Sequence, residues 1–534
     1  MPMLHPTHAA PRAIAALLSA AALSGTSLGA HPGADHAPAA HQGKPFMQDG
    51  AEHIPERVHY DFVRPDGSLD GGHFDTVTVR RTDLPTPNLA GPTQRLSANG
   101  FVAIPELRNG ARTVANNRLE IVFVGDGYTA SELGIYAAQV DQFSDEMFSY
   151  QPLTNYRALF EVYRVDVVSN ESGVDNDPSL GIDRDTALDM RYWCNNIERL
   201  LCVNVSKAFS YANTAPGVDQ VVALANSSKY GGAGYPGSNI GTASAGSGAA
   251  ADIVVHELGH ALGDLADEYT YGGPTAWPGG EQFDANLSTF PSADMLAQER
   301  KWWRWLGASI PGFDGSTSTY QGGGYSVTGV FRPTNNSKMR NLGRPFNLPS
   351  SERLIREIYR VVNVVDVATP TSEGPQASDV LFIDPVDLVI DTIEIAWTLN
   401  GSPVTGASAG GNAEELDLAA LGAVPGDVIQ VVVSDETNWV RDESIRDTFM
   451  TTTLTWTVAI AQCDADVTTE GLSNGQPDGI VSLSDFSYYL SLWSFGNLNA
   501  DITSTGVCDF GAGDDTVDLS DFSCYLATWS AGCP

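Results

Sequence analysis

The chain has 534 residues, 42% of them hydrophobic and 18% charged. This is globular composition, which excludes a wholly disordered chain, and at roughly 100–200 residues per domain it implies several domains. Acidic residues number 65 against 29 basic ones, a net charge of −36. Such a surface repels phosphate backbones and anionic headgroups, which argues against nucleic-acid and membrane-surface partners and suits an exported or cation-binding protein.

Residues 1–12 make a weakly basic start with His5, His8 and Arg12. An apolar run from Ala13 to Leu28 follows, then the small residues Gly29 and Ala30. The pattern predicts a secretory signal over 1–30. The run is too short for the ~20 apolar residues that span a bilayer. No later segment is long and apolar enough either, so no membrane insertion is expected of the mature chain. The expected location is extracellular or at the cell surface, where disulfides are stable. Residues 31–51 are rich in His, Pro, Ala and Gly and read as a disordered linker rather than a metal-capturing segment.

Residues 52–110 alternate short β-rich runs, such as Val58–Val63 and Asp75–Val79, with turns such as Pro65-Asp66-Gly67. They predict an N-terminal β module. From Asn117 the character changes. The buried strand of NRLEIVFV, a helical pattern through Phe148 and a second strand over 160–168 predict an α/β (α+β) catalytic domain over 111–368. The turn Gly125-Asp126-Gly127 lacks the glycine fingerprint and the lysine of a phosphate loop. The Gly/Ser/Ala-rich stretch 226–250 reads as a loop beside the active site, because it directly precedes the strongest motif in the chain.

That motif is the H-E-x-x-H of ADIVVHELGHALGDLADEY, residues 251–269. His256 and His260 are four apart, so on a helix they share a face and can hold one metal ion, zinc being well suited to neutral imidazole. Glu257 stands beside the first ligand, where its carboxylate can take the proton of a water attacking a peptide carbonyl and pass it to the leaving amine. A third ligand must come from beyond the helix. Were the helix to continue, Asp267 would lie roughly 10 Å from His260 along the axis. The chain must therefore bend, and Gly263 is the expected bend. Asp267 is the first choice for third ligand and Glu268 the alternative. Met339, in the turn-like GVFRPTNNSKMR, is expected to form an apolar floor under the metal, as the Met-containing turn of metzincin enzymes does. The aromatic cluster KWWRW, with Trp302, Trp303 and Trp305, reads as packing rather than as a substrate platform.

Five ordered blocks, IVFVGDGYTASE, VYRVDVVSNESGVD, NSSKYGG, HELGHALGDLADEY and GVFRPTNNSKMR, span about residues 117–365. In this order they resemble the secreted bacterial zinc metallopeptidases of the IgA-peptidase family, which are metzincin-like. The resemblance implies a zinc-dependent endopeptidase acting on extracellular protein or peptide, with His256 and His260 as ligands, Glu257 as base, an acidic third ligand and a β module ahead of the zincin-type catalytic domain. Family members often carry cysteines around the Met-containing turn. This chain has none there, and Cys194 and Cys202 are the catalytic-domain cysteines, placed to staple a local loop. Two other readings compete: a surface binding or adhesion protein with a degenerate zinc site, and a zinc amidase acting on cell-wall peptide. The intact Glu257 argues against the first.

After a linker at 369–375, short strands such as 393–397, 428–433 and 454–458 predict an Ig-like β-sandwich over 376–460. Residues 463–534 hold an internal repeat, PDGIVSLSDFSYYLSLWS returning as GDDTVDLSDFSCYLATWS. Asp478 and Asp485, with Gly479 between them, stand at positions five, twelve and six of an EF-hand-type calcium loop, with Asp466 upstream. Asp514, Asp521 and Asp501 correspond in the second copy, where Asp515 replaces the glycine. This resembles a dockerin-like module, small and all-α, which implies calcium as a second cofactor and a cohesin-like or cell-surface docking partner. Cys463, Cys508, Cys524 and Cys533 lie in or beside it, and their pairing stays open among three connectivities.

Overall fold

A computed structural model describes residues 46–48, 51–63, 69–81, most of 89–96, 112–113, 117–459 with short breaks at 272, 373 and 406–412, and most of 465–531. The expected signal segment 1–30 and nearly all of the 31–51 linker lie outside the described residues. Among the described residues no helix is long and apolar enough to cross a membrane.

The strands of the first half are β1 (Phe46–Gln48), β2 (Ala51–Val63), β3 (Leu69–Arg81), β4 (Gln94–Arg95), β5 (Arg112–Thr113), β6 (Leu119–Asp126), β7 (Phe160–Val165), β8 (Gln220–Ala225), β9 (Gly232–Tyr235) and β10 (Ile240–Ser244). All but β5 join one nine-stranded sheet. Its centre is parallel: β6 pairs with β7 on one side and β8 on the other, and β10 extends the parallel run beyond β8. A strand covered on both faces needs a continuous apolar run, and every residue of β6 is buried. The period of two sorts its side chains. Leu119, Ile121 and Phe123 enter a core with α1 (Leu133–Met147), α3 (Ala250–Gly263) and, further along the chain, α5 (Leu348–Val361). Val122 and Val124 enter the opposite core with α2 (Val205–Ala212).

Beyond β10 the sheet turns antiparallel. β9 pairs with β10, and β2 bridges β9 at His59↔Gly234. β2 and β3 pair along their whole length as one hairpin. The strands expected in a separate N-terminal β module are thus outer strands of the nine-stranded sheet, a long-range pairing that strand propensity does not reveal.

Residues 365–459 supply seven strands of two four-stranded sheets, β5 being the eighth. Leu381, Ile383 and Leu416 of one share a core with Trp397, Ile429 and Val431 of the other. The first of these sheets includes β5 and Val365–Ala368, so its pairing begins ahead of the expected 369–375 linker. Tyr156 and Tyr359 both donate to Asp435, at 2.8 and 2.9 Å, tying the two regions together.

In the C-terminal region the helices Leu483–Ser494 and Leu519–Ala531 face each other through stacked Tyr489 and Tyr525, with ring centroids 3.7 Å apart. The repeat seen in the sequence is a repeat of contacts. Tyr489 donates to Ala500 O, and Tyr525 donates to Ala465 O, each at 2.8 Å.

Candidate metal centre

α3 carries His256, Glu257 and His260 and is buried along nearly its whole length. It ends because Asp264 takes a left-handed conformation, φ 46° and ψ 41°. The amides of Asp264 and Leu265 turn back onto the carbonyls of His260 and Gly259, at 3.1 Å each. The bend is one residue later than expected from Gly263. Aspartate tolerates this region better than most residues, and Gly263 serves packing instead: a Cβ there would meet Leu265 at 2.9 Å and Leu354 of α5 at 3.1 Å.

The turn brings Asp267 back onto the helix. Its Oδ1 lies 3.2 Å from His256 Nε2 and 3.3 Å from His260 Nε2, and the two Nε2 atoms are 3.1 Å apart. Glu268 faces the other way. Its carboxylate accepts from Asn286 at 3.0 Å, Asn347 at 2.8 Å and Ser337 at 2.6 Å, away from the imidazoles. Asp267 and not Glu268 therefore joins the cluster.

Each imidazole is oriented by a backbone carbonyl. His256 Nδ1 lies 3.0 Å from Lys338 O, and His260 Nδ1 lies 2.6 Å from Leu265 O. Donation from Nδ1 leaves each Nε2 lone pair free to face the cluster. The Lys338 carbonyl belongs to the turn that carries Met339. Met339 is fully buried, its carbonyl accepts from Glu268 N at 2.7 Å, and a Cβ on Gly259 would come within 2.6 Å of its sulfur. Met339 therefore packs against the helix between the two histidines, at a point where only glycine fits.

The glycine-rich stretch 226–250 before the helix is not one loop but carries two strands, β9 and β10, joined by a short turn. A Cβ on Gly234 of β9 would meet Glu257 Oε2 at 2.8 Å and His260 Cβ at 3.2 Å. The absence of side chains lets the strand pass directly over the face of the helix that carries Glu257 and His260.

A fourth group was not anticipated. Asp61 of β2 places Oδ2 at 3.0 Å from His256 Nε2 and 3.9 Å from His260 Nε2. Its Oδ1 accepts from the Tyr269 hydroxyl, and Asp267 Oδ2 accepts from that of Tyr325. On the same face of β2, His59 stacks on His260 with centroids 4.1 Å apart. The sequence signal was an acid in an apolar alternating strand, two positions from a histidine; what that face meets is a matter of tertiary pairing. Asp61, His256, His260 and Asp267 are all buried and offer ligand atoms within 4.8 Å of one another.

Several buried oxygens here have no hydrogen-bond donor: Asp61 Oδ2, Asp267 Oδ1 and both oxygens of Glu257. Burial disfavours a charged imidazole, yet Asp61 and Asp267 outweigh it and raise both histidines, His260 to about 10. Burial, then the charge of Asp61, pushes the Glu257 carboxyl well up. Without a metal the two carboxylates can be balanced only by protonating both imidazoles; with the rings neutral and donating from Nδ1, orphaned oxygens beside two oriented imidazole nitrogens fit a divalent cation, zinc by donor type.

The C-terminal acidic residues are arranged differently. Asp485 Oδ1 accepts from Val467 N at 2.9 Å and Thr468 N at 2.8 Å, and its Oδ2 accepts from Ser482 N at 2.8 Å. Asp521 repeats the pattern with Ile502, Thr503 and Asp518. Both carboxylates are engaged with backbone amides. Asp478 and Asp514 lie outside the described residues, while Asp466 and Asp501 lie within them, Asp466 buried. A disulfide joins Cys194 to Cys202, and Cys524 is also disulfide-bonded. Trp302 and Trp305 are buried with Met295 and Leu348, a packing role.

A family model described as IgA Peptidase M64 matches residues 109–314. The matched segment contains His256, Glu257, His260 and Asp267; Asp61 and Met339 fall outside it. The comparison with curated proteins gives no match. The family match and the buried His/Asp cluster together support a metallopeptidase, a hydrolase whose substrate is protein or peptide.

Proposed function

We propose that the chain is an exported zinc endopeptidase in which His256, His260 and Asp267 hold the metal and Glu257 is the general base. The observation that carries this reading is the convergence of two carbonyl-oriented imidazoles and a donorless carboxylate oxygen on one buried point, with Glu257 next in sequence to a ligand. The chemistry zinc supplies at such a site is Lewis acidity toward the scissile carbonyl and the attacking water. Glu257 takes the proton of that water and delivers it to the leaving amine. The Lys338 and Leu265 carbonyls fix the ring orientations, and Met339 keeps the underside of the helix apolar. Export is supported by the apolar run 13–28 and by the Cys194–Cys202 disulfide.

The test is cleavage of an unfolded protein by the mature chain, before and after limited trypsin treatment quenched with inhibitor, beside Glu257→Ala handled identically. Chelator-sensitive cleavage by the mature chain after trypsin treatment, and zinc in both, is the expected result. Undiminished cleavage by Glu257→Ala would overturn the assignment of the base.

A further inference from the structure

The metal cluster is closed to solvent. His256, Glu257 and His260 are each 0–1% exposed, and a protein substrate cannot reach groups so covered. β9 covers Glu257, and the β2–β3 hairpin covers the imidazoles. Asp61 puts an oxygen without a hydrogen-bond donor onto the two imidazole nitrogens, and His59 stacks over His260. The hairpin is built to seat this carboxylate. Gly71, paired with Asp61 across the hairpin, has no room for a Cβ between Tyr60, Asp61 and the Tyr269 hydroxyl, and Tyr269 donates to Asp61.

We propose that Asp61 is a fourth metal ligand and that the paired strands β2 and β3 are a latency segment, occupying both the metal's exchangeable position and the cleft that an extended peptide substrate uses. This rests on the zinc reading above. A catalytic zinc centre keeps three protein ligands and one open position; here a fourth protein oxygen stands at that position. The hairpin also lies where a substrate strand would lie. β2 borders β9, the glycine strand that runs over Glu257 and His260, and the two strands share a single bridged pair, His59↔Gly234, whereas β2 and β3 pair throughout. The hairpin is thus a unit more firmly bonded to itself than to the sheet. Its other ties are side-chain and end contacts: Glu56 accepts from Gly237 N at 2.6 Å and from the Ser238 hydroxyl, Arg81 N donates to Ser206 at 2.8 Å, Val58 and Leu69 pack into neighbouring apolar clusters, and Arg80 lies over the Phe209 ring. Its departure would free the edge of β9 to take an extended peptide by strand addition.

The experiment loads the full mature chain, Asp61→Ala and Asp61→Asn with one equivalent of cobalt(II), a visible reporter for zinc sites, and titrates acetohydroxamate while recording the d–d bands. The asparagine variant keeps the shape of the hairpin contact should the alanine variant fold poorly. The expected result is cobalt bound in all three chains, with the hydroxamate perturbing the spectrum of both variants at concentrations at least about tenfold below those needed for the parent, since only the uncovered fraction binds the probe. Equal hydroxamate affinity in parent and variants overturns the proposal. Loss of cobalt from both variants also overturns it, because Asp61 would then be a required ligand rather than a displaceable one. Failure of the parent itself to bind cobalt removes the zinc reading, and the proposal with it. Equal peptidase activity before and after trypsin treatment, with an open cobalt site in the parent, overturns latency and leaves the peptidase standing.

Discussion

Asp61 Oδ2 lies 3.0 Å from His256 Nε2, so a residue of the outermost hairpin touches the first histidine of the H-E-x-x-H helix. Tyr269 holds the other carboxylate oxygen. Tyr269→Phe leaves Asp61 Oδ1 without its donor, which costs about 1–3 kcal/mol at a buried site. That cost falls on the closed arrangement. Amide hydrogen exchange over residues 51–63 is expected to quicken in this variant relative to the parent, with α3 unchanged. Uniform quickening across the sheet would indicate general destabilisation instead.

Asp267 and Glu268 are adjacent in sequence and separate in environment. Asp267→Asn is expected to weaken zinc retention by at least 10–100-fold (an order-of-magnitude expectation) because a charged ligand is lost. Glu268→Gln is expected to keep the metal and lower the melting temperature, since Glu268 anchors Ser337, Asn286 and Asn347. Zinc content after dialysis against a weak chelator, read beside a thermal melt, separates the two effects. Zinc loss in Glu268→Gln with retention in Asp267→Asn would reverse the assignment.

Gly259 and Met339 are fitted to each other. Gly259→Ala sets a Cβ 2.6 Å from the Met339 sulfur, an overpacking expected to cost about 1–3 kcal/mol. Met339→Ala opens a cavity and is expected to cost about 2–5 kcal/mol. The double variant should lose less than the two single losses added, because the shorter side chain relieves the clash. Denaturant melts of the four proteins measure the coupling, and strict additivity would show that the two residues do not meet.

Glu120 gives a pH dependence away from the metal. Its carboxyl is raised from 4.5 to about 7, first by burial and then by the hydrogen bond and charge of Asp219. The folded state therefore binds this proton more tightly than the unfolded state does, and stability falls as pH rises from about 4.5 through about 7. Glu120→Gln removes the ionisation. It is expected to melt roughly 2–4 °C higher than the parent at pH 8 and equally near pH 4. A constant difference at both pH values would contradict this origin.

What the sequence made legible is what is local. The four-residue spacing of His256 and His260 puts both rings on one helical face because the helix period does so wherever the helix sits. The need for a bend followed from distance along the axis, and the Asp267–Glu268 pair was narrowed to two because one of them had to return to the helix. The repeat around Asp485 and Asp521 could be read as a repeat, though not which partners their carboxylates take. The rest depends on long-range pairing. β2 reads as a half-buried strand from its alternation, but nothing in HYDFV says that its inner face meets His256. The glycines of 231–234 read as a loop because their use, close passage of a strand over Glu257, exists only once helix and sheet are packed. The bend fell at Asp264 because Gly263 was needed against Leu354.

His256, His260 and Asp267 are proposed to form a zinc centre of nitrogen and oxygen ligands. Zinc K-edge X-ray absorption on the mature chain holding one equivalent of zinc tests it most directly. The expected spectrum has a first shell of nitrogen and oxygen alone at ~2.0–2.1 Å, with outer-shell scattering from two imidazoles. A sulfur shell at ~2.3 Å, or a first shell without imidazole scattering, would contradict it.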